Sequence, residues 1–99
     1  MRYRIEFSPD ANQDIDDLYS VIIDEYQSPL TAFRYVQGLV DEIKKLEHNP
    51  EKFVVRDDDF YSQFGTEIRR INYKKMAIIY SVYRTRVFIH RVVASSLIH

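Results

Sequence analysis

Between Arg2 and Phe7 the chain alternates: Tyr3, Ile5 and Phe7 are apolar, Arg4 and Glu6 charged. A period of two gathers the apolar side chains on one side of an extended segment and predicts a half-buried strand. Ser8-Pro9 breaks the alternation. A serine able to accept from free backbone N–H groups, followed by a proline whose missing N–H costs nothing there, marks a helix start. Asp10 adds negative charge to the first turn, where the helix dipole favours it. Ile15, Leu18, Tyr19, Ile22 and Tyr26 then recur at spacings of three and four, one stripe of a helix. Ser28-Pro29 repeats the start signal, and Phe33, Val36, Leu39, Val40, Ile43 and Leu46 make the stripe of a second helix. His48-Asn49 suits its last turn and Pro50 stops it. So short a connection between two helices makes an antiparallel hairpin.

Past Pro50 the period changes. Phe53-Val54-Val55 reads as a short strand or an extended connection, and Arg56 to Phe64, with Asp57-Asp58-Asp59, as a loop. Ile68 to Tyr73, Met76 to Tyr83 and Arg86 to Val93 follow as strands, turned at Lys74-Lys75 and Arg84-Thr85. Tight turns make these strands antiparallel to one another. The predicted fold is α+β: an N-terminal strand, an antiparallel helical hairpin, then three or four antiparallel strands. The helices pack on one face of the small sheet, since neither can bury its stripe alone. The expected hairpin core is Leu18, Ile22, Phe33, Val36, Leu39, Val40 and Ile43. At 99 residues the chain has the length of one domain, 1–99, and its 45% hydrophobic content supports a core.

Composition narrows the chemistry. With no cysteine there is no disulfide framework and no thiolate, which fits a reducing, cytoplasmic setting. The first residues carry no apolar signal region, and no apolar run approaches a membrane span. His48, His90 and His99 are not spaced as metal ligands, and the Asp57-Asp58-Asp59 run lacks the spacing and glycine of a calcium loop. Gly38 and Gly65 make no phosphate-cradling loop, so neither metal nor cofactor is expected. Asp16-Asp17 and Asp24-Glu25 are adjacent on a helix, so each pair points apart and reads as a solvated face.

The net charge of −1 conceals a division. Residues 1–59 hold seven basic and fourteen acidic side chains, a balance of −7; residues 60–99 hold seven basic side chains and Glu67 alone, a balance of +6. The candidate target- or phosphate-binding residues are therefore Arg69, Arg70, Lys74, Lys75, Arg84, Arg86 and Arg91, set among Tyr73, Tyr80, Tyr83, Phe88 and His90. Cations hold phosphates and aromatic rings stack on unpaired bases. The competing reading is that these charges are one solvated side of alternating strands. Metal-free RNA cleavage would also need a group that moves a proton, for which His90 is a candidate.

The order of these segments resembles the RelE/ParE toxin superfamily. Tyr3-Arg4-Ile5-Glu6-Phe7-Ser8-Pro9 is similar to the opening of ParE-type toxins, and Asp14-Ile15-Asp16-Asp17-Leu18 to their first helix. Ala32-Phe33-Arg34-Tyr35-Val36 and Asn49-Pro50 resemble the second helix and its stop. Gly65 to Ile71, Ile78 to Val82 and Val87 to Val92 complete the likeness. The resemblance implies the toxin of a type II toxin–antitoxin pair, bound in a hetero-oligomer by a cognate antitoxin protein. It implies one of two targets. ParE-like members inhibit DNA gyrase, and the long hairpin favours that branch. RelE-like members cut mRNA on the ribosome, in which case His90, Arg91 and His99 become the candidate catalytic set. The end of the chain, Ala94-Ser95-Ser96-Leu97-Ile98-His99, departs from both patterns, lacking the paired arginines many relatives carry there. A protein-interaction domain without toxicity is the remaining reading.

Overall fold

In the computed structural model, which describes residues 2–98, the alternation at the N-terminus becomes strand β1 (Arg4–Phe7) and the two serine–proline signals become helices α1 (Pro9–Tyr26) and α2 (Pro29–Lys44). Ser8 Oγ accepts from the Ala11 N–H at 2.9 Å and Ser28 Oγ from the Thr31 N–H at 3.2 Å, so both caps work as the sequence predicts. The Ser8 hydroxyl also donates to the His90 carbonyl at 2.7 Å, pinning the start of α1 to the sheet. The second helix ends earlier than expected. Regular helix stops at Lys44, and tight turns at Lys45–Glu47 and Pro50–Lys52 carry the chain onward, with Asn49 left-handed between them.

Beyond them come β2 (Val55–Arg56), α3 (Asp59–Ser62), β3 (Ile68–Tyr73), β4 (Met76–Tyr83) and β5 (Arg86–Ala94). The segment read as a loop from Arg56 to Phe64 thus holds part of a strand and one helical turn. Its apolar residues explain the difference: Tyr61 is buried, and Phe60 and Phe64 pack with it against the sheet. The strand order is β1-β5-β4-β3-β2. The later strands are antiparallel, as their tight turns require, while β1 lies parallel to β5 along the far edge. A parallel pair cannot be joined by a tight turn, and here the helical hairpin and β2 to β4 all lie between the two strands in the chain.

Both helices cover one face of the sheet. Ala11, Leu39, Ile43 and Leu46 meet Ile71, Ile78, Tyr80, Val87, Ile89 and Val92 there, with Leu18 partly buried against them. Phe33 is the exception to the expected core: it is 56% exposed, on the outer side of α2. Tyr26, at the end of the α1 stripe, is likewise exposed. Inside the core the Tyr80 hydroxyl donates to the Pro50 carbonyl at 2.6 Å, and burial pushes its pKa up to about 12. The opposite face carries a smaller cluster of Tyr61, Ile68, Ala77 and Ile79, with Ile98 packed against it.

Gly38 lies mid-helix because Tyr73 lies on it. A Cβ at this position would overlap the Tyr73 hydroxyl and sit 2.8 Å from its Cζ. Gly38→Ala gains about 1 kcal/mol of helix propensity but forces the ring aside at a cost of about 1–3 kcal/mol. A small net loss of stability is expected in urea unfolding, and adding Tyr73→Phe should recover part of it. An alanine variant more stable than the parent would show that the ring moves freely.

Candidate functional site

The basic half of the sequence is not a single surface. The two hairpin turns lie at opposite ends of the sheet, so Lys74 and Lys75 stand at one end and Arg84 and Arg86 at the other. Lys74 and Arg84 both adopt left-handed backbone, with φ of 52° and 57°. This is a conformation that L side chains adopt at some cost and that glycine would adopt freely. At the first end, Lys74 Nζ sits over the rings of Tyr35 and Tyr73, which themselves meet edge to face at 5.3 Å. Burial raises the Tyr35 pKa, helped by its neighbour Tyr73. Lys74 and Lys75 rim a groove of about 580 Å³ between the helix tips, floored by Leu18, Val21, Ile22 and Tyr26. At the other end, Arg84 lies over Tyr83, and Arg86, beside Arg4 in the ladder, reaches Glu6 at 3.4 Å.

The other candidate arginines are engaged inside the molecule. Arg69 is only 9% exposed, and its Nε donates to the Phe53 carbonyl at 2.9 Å. Arg91 grips Asp14 of α1 with both arms of its guanidinium, Nε to Oδ2 at 2.7 Å and Nη2 to Oδ1 at 2.8 Å. That hydrogen bonding raises the Arg91 pKa above its ordinary value. Arg70 is half-buried: Nε donates to Asn72 Oδ1 at 2.8 Å and Nη1 to the Tyr61 hydroxyl at 3.1 Å. Strand position alone does not decide where an arginine side chain goes. Arg69 and Arg91 each find an acceptor on a segment distant in sequence.

His90 sits at a register shift between β4 and β5, where Ile79 faces Arg91 and Tyr80 faces Ile89. The extra residue bulges the strand, a common way of re-aiming a side chain. The imidazole rests between Phe64 and Phe88, with ring centroids 5.6 and 4.9 Å away, and Nε2 shares a 2.9 Å hydrogen bond with the Ser81 hydroxyl. Arg91, its neighbour in sequence, is turned to α1, so the two do not form one site. His99 lies outside the described residues. Phe64 and Ser81 carried no signal in the sequence, since their proximity to His90 depends on the α3 turn and the strand register.

Burial holds the His90 pKa below its ordinary 6.5. The unfolded chain therefore takes up this proton at higher pH than the folded one. The stability associated with neutral His90 is complete above pH 6.5 and declines as pH falls below it, levelling under the folded pKa. His90→Gln should flatten that part of the stability profile, read as urea midpoints across mildly acidic pH. An unchanged profile would assign the acid sensitivity to other groups. Among the described residues no cluster of three or more histidine, aspartate or glutamate side chains could hold a metal ion, and no helix is long and apolar enough to cross a membrane.

Residues 5–96 match the family model described as the ParE toxin of the type II toxin–antitoxin system, parDE. No curated protein matches the chain. A solved structure described as the chromosomal ParDE TA system from P. aeruginosa is similar, with a TM-score of 0.77 and 17% identity over 94% of this chain and 96% of that one. At that identity the likeness speaks for the fold.

Proposed function

Since the chain belongs to the ParE toxin family of type II toxin–antitoxin systems, we propose that it inhibits DNA gyrase when free and is held inactive by a cognate antitoxin protein. The observation that supports this target over mRNA is the fate of Arg91. An RNA-cleaving site needs a cation free to meet developing charge beside a group that moves a proton. Here the guanidinium beside His90 in sequence is committed to Asp14, and the imidazole is half-buried between two phenylalanines.

Of the seven basic candidates, the exposed ones are the proposed target contacts, Lys74 and Lys75 at one end of the sheet and Arg84 and Arg86 at the other; Arg69 and Arg91 hold the fold. Several exposed charges acting together lose potency gradually and depend on salt, whereas a nuclease fails when one proton-transfer group is removed. Purified protein should inhibit gyrase supercoiling, with each of Lys74→Ala, Lys75→Ala, Arg84→Ala and Arg86→Ala raising the inhibitory concentration by a few-fold, while His90→Ala, checked for folding, stays active. Inhibition of translation with cleaved mRNA, abolished by His90→Ala and without effect on supercoiling, would overturn this reading.

A further inference from the structure

One corner of the sheet is left bare on the face away from the hairpin. Ile5, Phe7, Val82, Val87 and Ile89 turn to the helices and join the main core. The residues alternating with them, Arg4, Glu6, Tyr83, Arg86 and Phe88, therefore fall on the opposite face. The cluster formed there with α3 takes Ile68, Ala77 and Ile79 and includes none of these five. The strand register sets Arg86 between Arg4 and Tyr83, and Phe88 beside Glu6 in the adjoining row. Both rings are open to solvent, Tyr83 at 67% and Phe88 at 38%. Arg84, in the turn, lies over the Tyr83 ring at 5.3 Å.

Three guanidinium groups thus meet a single carboxylate. Glu6 reaches Arg86 at 3.4 Å in an exposed pair. Among the described residues Arg4 and Arg84 form no ion pair. Like charges alongside one another on neighbouring strands repel, so the Arg4–Arg86 row costs stability that an anion would recover. The charge also stands beside aromatic rings that pack under no other element, a pairing that a lone phosphate would leave unused.

We propose that this corner binds single-stranded nucleic acid, with phosphates on Arg4, Arg84 and Arg86 and bases stacked on Phe88 and on the side of Tyr83 away from Arg84. Cations that neutralise phosphates release counterions, and ring faces take unpaired bases of any sequence. An acidic peptide fits less well. Phe88, Arg86 and Tyr83 lie on β4 and β5, which have a strand on each side, so no free main-chain groups border the rings for a peptide strand to pair with. A duplex hides its base faces, and no helix or ribbon projects from this face to enter a groove. The proposal concerns binding alone; it goes beyond the gyrase reading and does not rest on it.

The test is fluorescence anisotropy on the full chain with a short labelled oligothymidylate. Three phosphate contacts predict a slope of about −2 for log affinity against log salt. Affinity should fall on the order of tenfold in the R4E/R84E variant and by a similar factor in Phe88→Ala, with melting temperatures as folding controls. K52E/R56E makes the same change of net charge beside β2, at the other edge of the sheet, and should bind within a few-fold of the parent. Oligouridylate should bind like oligothymidylate, since phosphate and base face are common to both, while an abasic phosphodiester of equal length and a duplex should bind more weakly. Absence of binding, equal binding by R4E/R84E, an equal loss in K52E/R56E, or equal binding of the abasic strand would overturn the proposal. So would a glutamate-rich peptide that binds more tightly than the oligonucleotide through Arg4 and Arg84.

Discussion

Leu39→Ala is expected to cost about 2–5 kcal/mol of stability, the range for deleting most of a buried leucine. The residue is fully buried in the main core, on the face of α2 that meets the sheet, beside Ile43 and Leu46. Truncation removes transfer energy and leaves a cavity between a helix and a sheet that are each held by other contacts, so neither can close it fully. In a domain of this size each kcal/mol lowers the melting temperature by roughly 4–8 °C, so the loss is large in thermal melts. Phe33→Ala makes the contrast. It lies on the same helix and in the same apolar pattern, yet its ring is exposed, and its removal should change stability by less than about 0.5 kcal/mol. Equal losses in the two variants, or none at Leu39, would show that α2 packs by a different face.

That contrast marks how far the sequence could be read. Two serine–proline starts and two stripes were enough to place α1 and α2, and the period-two runs placed β3 to β5 nearly to the residue. A stripe alone does not say how wide the covered face is. Phe33 and Tyr26 fall at helical spacing but stay exposed. In the sequence the α3 turn reads as loop, because Asp57-Asp58-Asp59 outweighs the aromatics that follow. Its folding depends on Tyr61, Phe60 and Phe64 meeting Ile68 and Ile79, a contact that only the finished sheet provides.

The candidate site was legible as composition and not as arrangement. Basic residues close in sequence fall on opposite ends of antiparallel strands, and two of them are tied to acceptors 16 and 77 residues away. Conversely, the corner of Arg84 and Arg86 draws in Arg4 from β1, through a parallel pairing that no tight turn announces. Arg4 comes from the half of the chain with the acidic balance, where local charge counting hides it.

The second large effect expected is that of Asp14→Ala, about 2–4 kcal/mol. Three hydrogen bonds end on this carboxylate: two from Arg91 and one from the Val92 N–H at 2.9 Å. Together they fasten α1 to β5 immediately after the bulge at His90. Removing the carboxylate leaves a partly buried guanidinium and a strand N–H without their acceptor, and an uncompensated charge costs more than the pair contributes. The Arg91 side chain is 37% exposed and that of Asp14 13%, so water reaches the stranded guanidinium and the loss falls short of the full buried-pair figure of about 3–5 kcal/mol. Asp14→Asn keeps one acceptor without its charge and should lose roughly half as much. In the Asp14→Ala background, Arg91→Ala should cost little more, giving a coupling energy of about 1–3 kcal/mol by double-mutant cycle. The same cycle separates structure from targeting. If Arg91 serves the fold, growth arrest by Arg91→Ala and Asp14→Ala should decline together, in step with the folded fraction. Arrest lost in Arg91→Ala while that variant stays folded and Asp14→Ala stays toxic would place Arg91 at the target after all.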